Sequence, residues 1–365
     1  MTVLSADKVI TPGGVLEPGW VGVDDGRITA VGPGVPERAH RHGAVIIPGF
    51  VDVHCHGGGG ASFDSGDAEE CARAAAFHRE RGTTTLVASL VTAAPDALER
   101  RAAVLSELAA DGVVAGIHYE GPFLSAARKG AHDPALLRDP DPATVGRLLK
   151  IPHVRMMTIA PELPGGVDAL RRVRDAGAVA AIGHTDATYE VTLDAVAAGA
   201  RVATHLFNGM RPLHHREPGP ILALLESPEV VVELIGDGVH LHPAIVAHVA
   251  RTTGPARATL VTDAIAAAGM SDGDYALGGL DVEVRDGVAR LAGGGSIAGS
   301  TATAASVFRR AVHDSGLSLT EAVRLAATTP AALLGLDDRG AIAPGLRADL
   351  LVLDDDLTVR EVVTA

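Results

Sequence analysis

From residue 50 onward, short apolar runs alternate with amphipathic, Ala-rich stretches. The runs predict strands at Val51–His56, Thr83–Leu90, Val113–Glu120, Val154–Pro161, Val179–His184, Val202–Phe207, Val230–Gly236 and Ala258–Asp263. A helical stretch separates each from the next, and strands alternating with helices imply a parallel sheet. About eight such units predict an α/β fold, a TIM-like (β/α)₈ barrel, with an open doubly wound sheet as the alternative. Ser318–Leu334 reads as closing helices, whereas Gly273 to Ser300 breaks the alternation and reads as an inserted, hairpin-bearing loop.

The two ends of the chain have another rhythm. Val21 to Val31 reads as a hairpin around Asp25-Gly26, a strong two-residue turn signal. Gly345 to Leu353, followed by the polar turn Asp354 to Asp356, repeats that style. Pairing the ends gives a small β-sandwich from residues 1–48 and 341–365, beside a barrel over 49–340 that carries the insertion at about 273–300.

The length of 365 residues fits that division, since such a barrel takes about 250 and leaves about 100. The 47% hydrophobic content and mean hydropathy of +0.23 support a large buried core. Net charge is −14, with no Lys/Arg cluster, which argues against nucleic acid or an anionic membrane as partner. A few local Arg and His residues still suffice to bind a small phosphate. Two cysteines, Cys55 and Cys71, make a disulfide framework improbable. The first ten residues lack a signal peptide's regions, and no uncharged apolar run reaches the roughly 18 residues of a membrane span. A cytoplasmic protein is the expectation.

Polar residues gather where the strands end, the place where such barrels keep their active sites. His54 and His56 lie two apart and face one side of the first strand's end, leading into the flexible-looking run Gly57 to Gly60. Two imidazoles so placed can ligate one metal ion. Cys55, on the opposite face, reads as a small buried residue. His118 and Glu120 repeat the spacing, with Glu120 the ligand candidate and His118 standing behind it. His184 and His205 each emerge from a small-residue strand. With Glu120 they form an N,N,O set with one open position, the catalytic zinc pattern. Asp263, ending the eighth strand, is placed to ligate, to take a proton from water, or both. Arg211, His214, His215, Arg216 and His240 crowd the loops after strands six and seven, where Arg can grip phosphate; a solvated loop is the bland alternative. The run Gly293 to Ser300 is weaker evidence for backbone amides facing a ligand.

These motifs, in this order, resemble the N-acetylglucosamine-6-phosphate deacetylases of the amidohydrolase superfamily. The matching segments are residues 48–57, 118–123, 129–132, 183–188, 204–210, 216–219, 237–240 and 261–264. The resemblance implies the metal-dependent amidohydrolase type of barrel, and hydrolysis of N-acetyl-D-glucosamine 6-phosphate to glucosamine 6-phosphate and acetate. It assigns the better-occupied metal to Glu120, His184 and His205, and the acid/base role to Asp263. Asn208, Gly209, Arg216, Asp237 and His240 match sugar-phosphate contacts, with Ala131, His132, Ile297, Ala298, Gly299 and Ser300 lining the site. His132 is also a candidate helper at the oxyanion. Members are homodimers in which a neighbour's Arg and His complete the phosphate site, so Arg216 and His240 are expected to act in trans.

Some members lose both first-strand histidines and keep one metal. This chain retains His54 and His56, which implies a second metal bridged by Glu120. Zinc is the expected ion, although such an N/O set also accepts iron, manganese or cobalt. The fourth strand offers no lysine to bridge two metals, and Gly209 replaces the alanine common after the Asn. Three rival readings stand beside this one: deacetylation of another amino-sugar phosphate such as the galacto epimer, hydrolysis of a cyclic amide, and a non-catalytic scaffold. The scaffold would be expected to lack ligands that are all present here.

Overall fold

The computed structural model describes residues 2–37, 39–293 and 295–365. Eight parallel strands follow one another in order around a single sheet: Phe50–Cys55, Thr83–Val91, Gly116–Glu120, Val154–Ile159, Val179–Ile182, Val202–Ala203, Val231–Ile235 and Ala258–Val261. We refer to them as barrel strands one to eight. An α-helix follows each, from Ala68–Arg79 after the first to Ala304–His313 after the eighth. Side chains such as Ala74, Leu98, Val145, Leu170 and Val249 seat those helices in one continuous core. The predicted (β/α)₈ architecture is therefore present.

The ring closes at its C-terminal mouth. The Asp263 amide donates to the His54 carbonyl at 2.9 Å, and the His56 amide donates to the Ala264 carbonyl at 2.7 Å. Deeper in the seam the buried Asp52 carboxylate stands in for ladder bonds, accepting from the Thr262 hydroxyl at 2.6 Å and the Thr262 amide at 3.3 Å.

Several strands are shorter than their apolar runs predict. Barrel strands five, six and eight stop at Ile182, Ala203 and Val261. Just beyond them His184, His205 and Asp263 adopt φ values of 46°, 30° and 48°. Non-glycine residues enter this left-handed region at a cost of order 1 kcal/mol or more and persist there when their surroundings over-determine them. Pairing resumes one step later, as in the parallel bridge between Thr185 and Met210. Each of these strands thus breaks where it delivers a polar side chain to the mouth.

The run Gly57 to Gly60 is not the flexible loop its composition suggests. Gly57–Gly58 pairs with Ala61–Ser62 in a small ribbon, and a Cβ on Gly58 would fall 2.5 Å from His78 Nε2. Compactness, not mobility, requires glycine there.

Both chain ends build the second domain. Strands Thr2–Thr11, Gly14–Leu16, Gly19–Asp24, Arg27–Pro33 and His40–Pro48 join Leu350–Leu353 and Val359–Val363 in one seven-stranded sheet. The sheet curls until Ile28 bonds to Leu346 and Gly345, around a core that includes Leu4, Val9, Val21, Ile46 and Leu350. The hairpin at Asp25-Gly26 is present, with both residues at positive φ. Between barrel strand eight and its helix, three antiparallel strands at Gly273–Leu277, Leu280–Arg285 and Val288–Leu291 fold over the mouth. Gly294 of the following loop lies outside the described residues. The closing segment comprises Leu319–Val323, a π turn at Arg324–Thr328 and Thr329–Leu333.

Candidate metal centre

Glu120 stands at the middle of the mouth, with one carboxylate oxygen facing each of two ligand groups. Its Oε1 lies 2.7 Å from His205 Nε2 and 3.1 Å from His184 Nε2, and those two nitrogens are 3.1 Å apart. Its Oε2 lies 3.2 Å from His56 Nε2 and 3.6 Å from His54 Nε2. Asp263 Oδ1 completes that second group, 3.5 Å from His54 and 3.3 Å from His56. All six side chains are buried, and the ligand atoms within each group lie within 4.8 Å of one another. Ligand atoms about 2.0–2.1 Å from a tetrahedral zinc stand about 3.3 Å apart, so both groups have the spacing that a small divalent cation needs.

The charge balance points the same way. Burial opposes a proton on His56, yet hydrogen bonds from Asp263 and Glu120 outweigh it and lift the imidazole to about 9. Burial likewise opposes charge on His54, but Glu120, Asp263 and Glu233 raise its proton affinity well above the usual range. Burial would favour neutral carboxyls at Glu120 and Asp263, but the neighbouring histidines, His54 foremost, hold both well below the ordinary carboxylate range. Two buried carboxylates thus face four imidazoles, a donor set that suits a divalent cation.

Ring nitrogens facing away from the cluster fix the orientation of two ligands. His184 Nδ1 donates to the Arg128 carbonyl at 2.8 Å, and His54 Nδ1 to Glu233 Oε2 at 3.0 Å. Such bonds place a proton on Nδ1 and turn Nε2 toward the cluster. His118 cannot ligate: its nitrogens meet Ser89 Oγ at 3.0 Å and Thr158 Oγ1 at 2.8 Å, and its ring stands edge-on to His54 at 4.7 Å. Cys55 turns away, its thiol 3.3 Å from His78 Nε2.

A cleft of about 340 Å³ opens above the cluster. Ala131, His132, Asn208, Gly209, His240, Ile297 and Gly299 line it, together with His56, Glu120, His184, His205 and Asp263. His132 Nδ1 meets Thr92 Oγ1 at 2.8 Å, and its Nε2 lies 3.5 Å from Glu120 Oε2. Burial, then the neighbouring His184, pull His132 down to about 4, so it is neutral near pH 7. His240 Nδ1 meets Asp237 Oδ2 at 2.8 Å; burial opposes its charge, but Asp237 prevails and raises it.

Not every sequence-assigned residue reaches this cleft. Asp237 acts through His240 rather than facing the cavity. Ala298 is packed in the core beneath the three-stranded insertion, and Ser300 spends its hydroxyl on the Thr262 carbonyl at 2.6 Å. Arg216 lies exposed outside its own chain's cleft, with Nη1 2.8 Å from His215 Nε2. Two participants escaped the sequence reading. Glu233 sits inside the apolar run Val230 to Ile235, where an uncompensated charge was the available signal. Arg128, which lines the cleft and bonds Asp186 at 2.7 Å, offered only a basic side chain beside a recognised motif.

The geometry has close relatives. Residues 45–364 match the model of the Amidohydrolase family. The chain is 35% identical over 369 residues to the N-acetylgalactosamine-6-phosphate deacetylase of Escherichia coli O157:H7, covering 99% of this chain and 97% of that one. It is 37% identical over 348 residues to the N-acetylglucosamine-6-phosphate deacetylase of Danio rerio, covering 90% and 85%. Among solved structures, an alanine mutant of N-acetyl-D-glucosamine-6-phosphate deacetylase from Mycobacterium smegmatis, in complex with N-acetyl-D-glucosamine 6-phosphate, superposes with a TM-score of 0.97 at 52% identity. That match covers 100% of this chain and 97% of the other.

Proposed function

This chain belongs to the Amidohydrolase family, and on that footing we propose that it hydrolyses N-acetyl-D-glucosamine 6-phosphate to D-glucosamine 6-phosphate and acetate. The observation that carries this reading is the carboxylate of Glu120 shared between two buried ligand groups at the floor of a cleft sized for a sugar phosphate. The 52% identity to a deacetylase holding that compound favours the gluco substrate. The 35% identity to a galactosamine-type deacetylase keeps the galacto epimer as the second reading.

A divalent cation bound here would supply Lewis acidity, polarising an amide carbonyl and making water acidic enough to deprotonate near neutral pH, and zinc is one of the ions that such an N/O set accepts. Glu120, His184 and His205 would hold one such ion, and His54, His56 and Asp263, with Glu120, would hold a second. Asp263, ionised throughout the working range, takes the proton from the attacking water and returns it to the departing amine. The Thr92 hydroxyl donates to His132 Nδ1, which leaves a proton on Nε2 to donate to the carbonyl oxygen as it gains charge. Asn208 and the backbone at Gly209 and Ala131 position the sugar. His240, whose proton affinity Asp237 raises, lines its own chain's cleft and meets the 6-phosphate in cis, contrary to the expectation that it acts in trans. Arg216, exposed in the same loop as the uncovered Leu213, reaches the phosphate of a second copy in a homodimer.

Acetate release from the gluco and galacto substrates, with metal content determined on the same sample, tests this reading. A kcat/KM at least tenfold higher for the gluco compound is expected; equal or reversed preference selects the epimer, and no release from either removes the assignment.

A further inference from the structure

Glu233 is a fully buried carboxylate on barrel strand seven that none of the proposed chemical steps uses. Its Oε2 accepts two hydrogen bonds. One comes from His54 Nδ1 at 3.0 Å and the other from the His205 backbone amide, also at 3.0 Å. Its backbone carbonyl accepts a third bond, from the Leu206 amide at 2.9 Å. The same residue therefore grips the imidazole of one ligand group and the main chain of the other.

Each grip answers a specific structural need. Barrel strand six ends at Ala203, and His205 sits at a φ of 30°, so its amide has no ladder partner. A buried amide without an acceptor costs about 1–3 kcal/mol, and Glu233 removes that cost at the turn that delivers a ligand. His54 needs its proton on Nδ1 to present a bare Nε2 toward His56, Glu120 and Asp263. A carboxylate oxygen accepting at Nδ1 imposes that tautomer and makes the imidazole a stronger donor to a metal.

We propose that Glu233 is the positioning residue that links the two metal positions, fixing the tautomer of His54 through one bond and the turn at His205 through the other. The link is asymmetric. His54 depends on the charge of Glu233, because that charge strengthens its ring as a ligand. His205 depends only on an acceptor being present, because its bond is made by the backbone and its own Nε2 already faces Glu120 at 2.7 Å. The proposal rests on the reading that His54, His56, Glu120 and Asp263 hold a second ion.

The test is titration of the metal-stripped full-length protein with Zn²⁺ against a chromophoric chelator, which reads stoichiometry and two affinities without any substrate. Wild type is expected to take two equivalents. Glu233→Gln keeps an acceptor oxygen for both donors but loses the charge, so the first equivalent is expected within twofold of wild type and the second about tenfold weaker. Glu233→Leu removes the acceptor as well; where circular dichroism shows it folded, the first affinity is expected to fall too, and where it does not fold Glu233→Gln decides alone. A second readout is the ¹⁵N shift of the His54 ring, expected to report Nδ1–H in wild type and in the Gln variant. Two equivalents of unchanged affinity in Glu233→Gln, or equal losses at both positions, overturn the role assigned to Glu233. A wild-type protein that takes one equivalent overturns the second metal position itself, and with it the link.

Discussion

Gly209 lies against the ring of His184: a Cβ built on Gly209, at a φ of +60°, would come within 2.7 Å of His184 Nδ1. Gly130 leaves only 3.0 Å on the same ring, and the Arg128 carbonyl holds Nδ1 at 2.8 Å. The ring cannot step aside without losing that bond. Alanine is common at this place among the proteins the chain resembles, so one methyl is accommodated there; Gly209→Val, with two more methyls against the ring, is expected to weaken metal binding at His184, His205 and Glu120 about tenfold, by the scale of disturbed ligand support. Chelator competition on the folded variant checks this; an unchanged affinity contradicts it.

Asp263 touches only the ligand group of His54 and His56. Asp263→Asn should keep the metal at His184 and His205 while turnover falls by roughly 10² to 10⁴, the range for loss of a general acid–base. Metal analysis and single-turnover acetate release on one preparation separate the two effects. Turnover within a few-fold of wild type would remove the proton-transfer role.

Asp237 raises the pKa of His240, so the imidazolium survives to higher pH than a free histidine. Below that pKa the cation is present; above it the charge is lost. KM for the 6-phosphate substrate is expected to rise with pH through that range, and KM for the unphosphorylated sugar to stay flat. Asp237→Asn should move the rise to lower pH. A pH profile for both substrates decides it.

His78 is held at about 4 by burial, although its Nε2 donates to the Gly57 carbonyl at 2.9 Å. The unfolded chain takes the proton near 6.5, the folded one does not until about 4. The stability that this residue contributes is thus complete above about 6.5 and is lost as pH falls toward 4, about 3 kcal/mol in all. Urea unfolding at pH 7.5, 5.5 and 4.5 should show a steeper loss for wild type than for His78→Gln. Parallel curves would refute it.

Arg216 stands outside its own cleft. If it serves the partner, a mixture of Arg216→Ala and Asp263→Asn subunits regains activity that neither homodimer has. The intact site lies in the Arg216→Ala subunit, which keeps its own Asp263 and borrows Arg216 from the other chain. Random reassortment should restore about a quarter of wild-type activity. No recovery after verified subunit exchange places Arg216 in cis or outside the reaction.

The barrel was legible because it is written locally, and so were the polar strand ends that gather at its mouth. Apolar runs with small residues mark the strands, and the spacing of His54 to His56 and His118 to Glu120 marks their ends. What was not legible depends on residues far apart in the chain. The bond between His54 and Glu233 spans 179 positions, and the lone charge in the run Val230 to Ile235 does not say which distant residue it meets. The early ends of barrel strands five, six and eight were equally hidden, because histidine and aspartate do not advertise positive φ as glycine does. The run Gly57 to Gly60 misled for a related reason: glycine signals both freedom and close approach, and only the neighbouring His78 and Phe77 decide which. Ala298 and Ser300 belong to a matched stretch of chain, yet a residue in such a stretch can face the core as readily as the cavity.

The seam between barrel strands eight and one sets an order of events. Glu120, His184 and His205 all come from the middle of the chain, so their cluster forms once barrel strands three to seven and the turns beyond them are in place. The other position needs His54 and Asp263 side by side, and these meet only when the ring shuts through the bond between the Asp263 amide and the His54 carbonyl. Joining segments so distant in sequence is the slow part of building such a topology. A second ion held by His54, His56 and Asp263 would therefore be a chronometer of assembly: during refolding its capture would mark the moment the two ends of the barrel wall meet.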